Sequence, residues 1–129
     1  MSAVRPTPAR FELLQWFGLF GGAAAWTAQH ATLFWLASAR CNPSGSRWGI
    51  GITGWQLAVT VAAALVALAA EAAAITTAVR TWAVEEDGPP PAGRIHFFAL
   101  AASIGNVLFL GAIALDGVGA GYWTPCGPA

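Results

Sequence analysis

Lysine is absent from this chain of 129 residues, and charge of either sign is scarce: six arginines and six acids leave 9% of the residues charged. A soluble domain carries about 25% charged residues. A globule this small has a large surface for its volume, and so few charges cannot solvate it. That excludes a soluble domain and a disordered chain. Arginines balanced by acids leave no basic face for phosphates, which excludes a nucleic-acid binder. The one methionine is Met1, so no thioether is present to favour copper(I). A nucleophile–base constellation, a phosphate-cradling glycine loop and a metal cluster of recognised spacing are also missing. Gly49-Ile50-Gly51 and Gly117-Val118-Gly119 read as turn or flexible glycines, because no strand–helix unit flanks them. The expectation is a protein that is not an enzyme by itself and binds no cofactor on this chain alone, lipids aside.

What is present is apolar: 57% of the residues are hydrophobic and the mean hydropathy is +0.59. Three runs stand out, about 11–39, 55–79 and 95–115, each clearing the roughly 20 residues that cross a bilayer core as a helix. None alternates polar with apolar, and the second holds eleven alanines, so strands are disfavoured. Asn42-Pro43-Ser44-Gly45-Ser46 ends the first run, and no helix continues through Pro89-Pro90-Pro91. The first run is about twice the length of a signal-peptide core and carries Gln29 and His30, so it reads as a retained helix. The predicted fold is all-α: one domain over 1–129, an integral membrane bundle of three transmembrane helices with tails at 1–10 and 117–129.

Arginine placement orients such a bundle. Arg5, Arg10, Arg80 and Arg94 fall on one side, Arg40 and Arg47 on the other, which puts the N-terminus in the cytoplasm and the C-terminus outside. Cys41 and Cys126, the two cysteines, then both land on the oxidising face. A disulfide between them would contribute about 4–5 kcal/mol on a chain-entropy argument. The alternatives are free thiols, a metal or redox pair, or a bond to a partner; neither histidine lies in the two cysteine-bearing segments.

Polar groups at membrane depth mark function, because placing them there costs free energy. Gln29 and His30 in the first helix, Glu71 in the second, and Ser103 and Asn106 in the third all count to the middle third of their spans. A shared cluster is therefore feasible. It would serve as interhelical glue, as a contact patch for a neighbouring subunit, or as a proton relay through His30 and Glu71. A lone carboxylate at the depth of Glu71 needs a partner or a proton. His96 sits at the cytoplasmic mouth of the third helix, facing headgroups or water, roughly 10–15 Å from His30 along the normal at 1.5 Å per residue. That offset disfavours a haem held between the two histidines. Gly18 and Gly22, and Ala101 and Gly105, are spaced for close helix packing. Trp48, Trp55 and Trp123 fall at the outer interface and Trp82 at the inner one. The bulky first helix, with Trp16, Trp26 and Trp35, faces lipid or protein, and Gly105 and Gly111 are placed to receive it.

Several stretches carry a resemblance. Trp26 and His30 precede Cys41; the third helix reads His96-Phe97-Phe98-Ala99-Leu100 through Asn106-Val107-Leu108-Phe109-Leu110; and Thr124-Pro125-Cys126 follows. This is similar to a group of small three-helix bacterial membrane proteins often encoded near haem-copper cytochrome c oxidase genes. The resemblance implies the bacterial inner membrane and a non-catalytic accessory subunit or assembly factor. Its partners would be larger membrane subunits of a respiratory oxidase or supercomplex. The alternative is a small homo-oligomeric ion or proton transporter using Glu71 and His30. A redox or metal-handling assembly protein using the two cysteines is a third reading.

Overall fold

The computed structural model describes residues 8–41, 52–83 and 92–122. The described residues form three helices: α1 (Pro8–Cys41), α2 (Ile52–Arg80) and α3 (Ala92–Tyr122). Proline at the first position of α1 fits, since its fixed φ suits a helix start and its missing N–H would have no partner there. α1 closes just ahead of Asn42-Pro43, because the residue before a proline is pushed out of the helical region. Arg80 sits in the last turn of α2, where a cation meets the negative end of the helix dipole. The chain then winds off through Thr81–Ala83, with the Thr81 amide donating to the Thr77 and Ala78 carbonyls.

α3 runs through Gly117, Gly119 and Gly121 to Tyr122, where the sequence pattern ends it near residue 115. Glycine and Asp116 looked like a terminus. A glycine lacks helix propensity by only about 1 kcal/mol, which tertiary packing overrides. Gly117 shows the packing concerned, since a Cβ there would meet the Thr60 side chain at 2.5 Å.

All three helix pairs pack against one another. α1 and α2 run antiparallel, with Gly18 against Ala74 and Gln29 against Thr60. α2 and α3 are antiparallel as well, pairing Thr81 with His96 and Glu71 with Ser103. α1 and α3 are therefore parallel, and the topology is up-down-up.

The interior is built from small side chains. α2 turns Ala63, Ala67, Ala70, Ala74 and Ala78 inward at spacings of three and four, one face of a helix. Against that stripe α1 lays Gly18, Gly21, Gly22 and Ala25, and α3 lays Ala99 and Ala102. The approach is close: a Cβ on Gly18 would lie 3.0 Å from the Ala74 backbone nitrogen, and one on Gly21 2.7 Å from the Ala70 Cβ. Serine and threonine hydroxyls are handled locally, with Thr27, Thr32, Ser38, Thr76 and Thr77 each donating to the carbonyl four residues earlier.

Large apolar side chains point outward. Leu57, Val61, Leu65, Leu68, Ile75 and Val79 cover the outer face of α2, and Phe97, Ile104, Val107, Leu108 and Leu115 that of α3. Both helices are long and apolar enough to cross a membrane, over Thr53–Arg80 and Gly93–Tyr122. α1 is as long but does not meet that standard, so two of the three expected transmembrane spans qualify among the described residues. Its bulk comes from tryptophan, glycine and alanine more than from leucine, isoleucine and valine. Gln15, Thr27, Gln29, His30 and Thr32 interrupt it.

Candidate functional site

The five polar residues placed at mid-depth do not share one cluster. They form a ladder of separate contacts along the bundle. Glu71 and Ser103 do meet: the Ser103 hydroxyl donates to Glu71 Oε1 at 2.5 Å, while the buried Oε2 has no partner. One turn along, the Asn106 amide donates to the Gly18 carbonyl at 2.9 Å, and its Oδ1 lies where a side chain on Gly22 would have to go. The Gly18 and Gly22 spacing thus exposes a carbonyl and makes room for an amide, which is a more specific role than close packing alone.

Gln29 lies farther along and touches all three helices. Its Nε2 donates to Thr60 Oγ1 at 3.2 Å and to the Ile113 carbonyl at 3.1 Å, which uses both amide protons. Its Oε1 is buried without a partner.

His30 bonds to neither Glu71 nor Asn106. Its Nδ1 faces Asp116 Oδ2 at 3.0 Å, and the Trp26 indole N–H donates to the same oxygen at 3.1 Å. Trp26 also lies over His30 and Phe109, with ring centroids 5.6 and 5.9 Å away. The three residues use the spacing of the parallel helices: Trp26 and His30 are one turn apart on α1, and Asp116 reaches them from α3. His30 and Asp116 form one border of a cleft of about 560 Å³, whose walls are mainly apolar and include Leu33, Phe34 and Leu115.

His96 overturns its expected exposure. It is 5% exposed, its Nδ1 lies 2.9 Å from Thr81 Oγ1, and the Trp82 ring stands edge-on to it at 6.1 Å. The cause is the helix boundary. α3 starts at Ala92, so His96 is already in its second turn and faces the end of α2. His30 pairs with Asp116, about 30 Å along α3 from His96 at 1.5 Å per residue, so the two imidazoles are farther apart than depth counting suggests. Among the described residues no group of three or more histidine, cysteine, aspartate or glutamate side chains is placed to hold a metal ion.

Two of the packing residues are corrected as well. Ala101 is exposed, and a Cβ on Gly105 would meet nothing within 4 Å. Gly111 is equally open, so neither glycine receives the α1 aromatics. Gly21 and Gly117 supply the close approaches instead. Trp55 and Trp82 are exposed near helix ends. Cys41 is the last residue of α1, and among the described residues no cysteine is a free thiol. Arg5, Arg47, Trp48, Trp123 and Cys126 lie outside the described residues.

Sequence reasoning missed Asp116, Thr60 and Thr81, and also Gln56, which lines the same cleft as His30. Asp116 had a signal: its charge follows an unbroken apolar run, within a turn of which a helix has no reason to stop. No known protein-family profile, curated protein or solved structure matches the chain.

Proposed function

We propose that this protein is a non-catalytic accessory subunit, embedded in a bacterial inner membrane as a three-helix bundle and packed through α1 against a larger membrane protein. The observation that carries this reading is the outer face of α1. It exposes Leu13, Trp16, Phe17, Phe20, Phe34 and Trp35, with Trp16 and Phe20 stacked at 5.7 Å, and alongside them His30, Thr27 and Ser38. A helix short of the apolarity for lipid, yet covered in large aromatics, is suited to a protein neighbour. Aromatic anchors supply much of the energy of such contacts.

The arrangement of the bundle around it fits a membrane setting. Small and amide side chains face in and hydrogen-bond between helices, while leucine, valine and phenylalanine face out, as expected where lipid replaces water. The arginine distribution favours a cytoplasmic N-terminus. A Cys41–Cys126 disulfide on the outer face belongs to this proposal, as does a respiratory oxidase or supercomplex as the partner, which rests on the resemblance of the first and third helices. The transporter reading draws less support, because Glu71 bonds Ser103 while His30 bonds Asp116 farther along the bundle.

The test is a mild-detergent purification of a tagged copy from native membranes, with mass spectrometry and a visible spectrum of the eluate. Oxidase or cytochrome subunits at a fixed ratio, with haem absorbance, are expected. A colourless homo-oligomer would overturn the proposal and favour measurement of ion flux.

A further inference from the structure

The cleft beside His30 is lined by a second polar side chain, from α2. Gln56, in the second turn of α2, lines the cleft and is only 8% exposed, yet its amide makes no side-chain hydrogen bond among the described residues. The enclosed polar atoms without a partner are Gln29 Oε1 and Glu71 Oε2, so the Gln56 amide itself reaches the cleft surface, where a ligand can bond it.

The protons on the other border of the cleft are fixed by donor chemistry. An indole N–H can only donate, so Asp116 Oδ2 is the acceptor for Trp26. The same oxygen faces His30 Nδ1, which must therefore carry its proton toward the carboxylate. In the neutral ring this tautomer leaves the lone pair on Nε2, and the His30 side chain is 61% exposed. The free nitrogen calls for an O–H donor, and a carboxylate behind the ring strengthens it as an acceptor.

Gln29 bonds Thr60, and Gln56 lies one turn before Thr60 on the antiparallel helix. The Gln56 amide is accordingly about 5 Å farther along the bundle than the His30 level. Between the two polar groups the walls are Leu33, Phe34 and Leu115. A fitting ligand has an acidic hydroxyl at one end of a flat apolar frame and a second oxygen at the other.

We propose that this cleft binds a hydroquinone carrying an apolar tail, with one ring hydroxyl donating to His30 Nε2 and the second oxygen bonded to the Gln56 amide. Binding alone is meant, with no bond made or broken. The inference does not rest on the accessory-subunit reading, and purified protein tests it without any partner.

The experiment is a calorimetric titration of the full chain in lipid nanodiscs with decylhydroquinone and, separately, with its dimethyl ether. The ether keeps the frame and tail but has no O–H to donate. The hydroquinone is expected to bind saturably at one per chain, and the ether about tenfold more weakly or worse, the loss of one well-made hydrogen bond. His30→Phe should weaken the hydroquinone about tenfold and leave the ether unchanged, whereas Gln56→Leu should weaken both, since the ether oxygen still accepts from the amide. Equal affinity for the two compounds, or no saturable binding of either, overturns the proposal. Because that comparison is made on the unaltered protein, it decides even where a variant folds poorly.

Discussion

The chain has two histidines, and the two ends of the bundle treat them in opposite ways. Each presents Nδ1 to an oxygen at about 3 Å: His96 to the Thr81 hydroxyl, His30 to the Asp116 carboxylate. His96 is enclosed by α2, α3 and the Trp82 ring, and toward the middle of the bundle Gly18, Gly21 and Gly22 press onto α2 and Asn106. His30 is held by a carboxylate and an indole but left open on its far side, next to a cleft and an unpaired amide. The same side chain at the same bond length thus serves packing at one end and stands open beside a cleft at the other. What separates the two roles is the state of the second ring nitrogen and the space in front of it. The identity of the residue and the length of its first hydrogen bond do not.

The comparison predicts a graded set of effects. The largest belongs to the sealed middle of the bundle, where Gly22→Leu drives a side chain into Asn106 and removes the room its amide needs. A loss of about 3 kcal/mol is expected from overpacking. It would be read as unfolding free energy in mixed micelles, and an unchanged midpoint would deny that the seal matters. Next, His96→Leu should cost about 1–2 kcal/mol, since it removes a buried hydrogen bond. His30→Leu should cost less than about 0.5 kcal/mol, because an exposed position has little packing to lose. Equal losses for the two histidine variants would break the comparison. Asp116→Leu comes third, freeing both Trp26 and His30 at a cost of about 1 kcal/mol and sharpening the His30 nitrogen resonances toward exchange between tautomers. Unaltered nitrogen-15 shifts for His30 would show that the carboxylate does not set its proton. The one gain in stability is at the cleft end. A Cβ on Gly119 meets nothing within 4 Å, so Gly119→Ala should raise stability by about 0.5–1 kcal/mol through helix propensity.

The three helices were legible in the sequence because unbroken apolar runs between proline clusters admit few other structures. So was the inward use of Gly18 and Gly22. Their spacing marks a surface without side chains, and such a surface draws a neighbour close. The limits of legibility are physical too. Counting residues from the flanking arginines gave each polar group a depth but not a direction around its helix. Glu71, Asn106 and His30 therefore looked like neighbours, when each faces a different partner. Ala101 and Gly105 have the same small-residue spacing as Gly18 and Gly22 and pack against nothing described, because spacing says that a groove exists and not that it is filled. Asp116 and the glycines after it read as an ending, since charge and glycine both end helices. Here the charge is drawn inside by Trp26 and His30 and the first of those glycines by Thr60. In α1 the apolar length was plain, but the gain per residue was overstated where tryptophan and glycine stand in for leucine and valine.

Gln29 carries a consequence for how the chain comes into being. Its amide protons go to residues 31 and 84 positions later, and the bonds of His30, Trp26 and the Gly18 carbonyl span 86, 90 and 88. Synthesis runs from α1 toward α3, so the helix with the most polar side chains emerges first and finds its last partners only when the final helix is nearly complete. Until then α1 must be sheltered by whatever holds the growing chain. A ribosome stalled before residue 106 would leave Asn106, Ile113 and Asp116 unmade and the first helix without its third-helix bonds. Truncation from the C-terminal end should therefore destabilise the beginning of the protein before its middle.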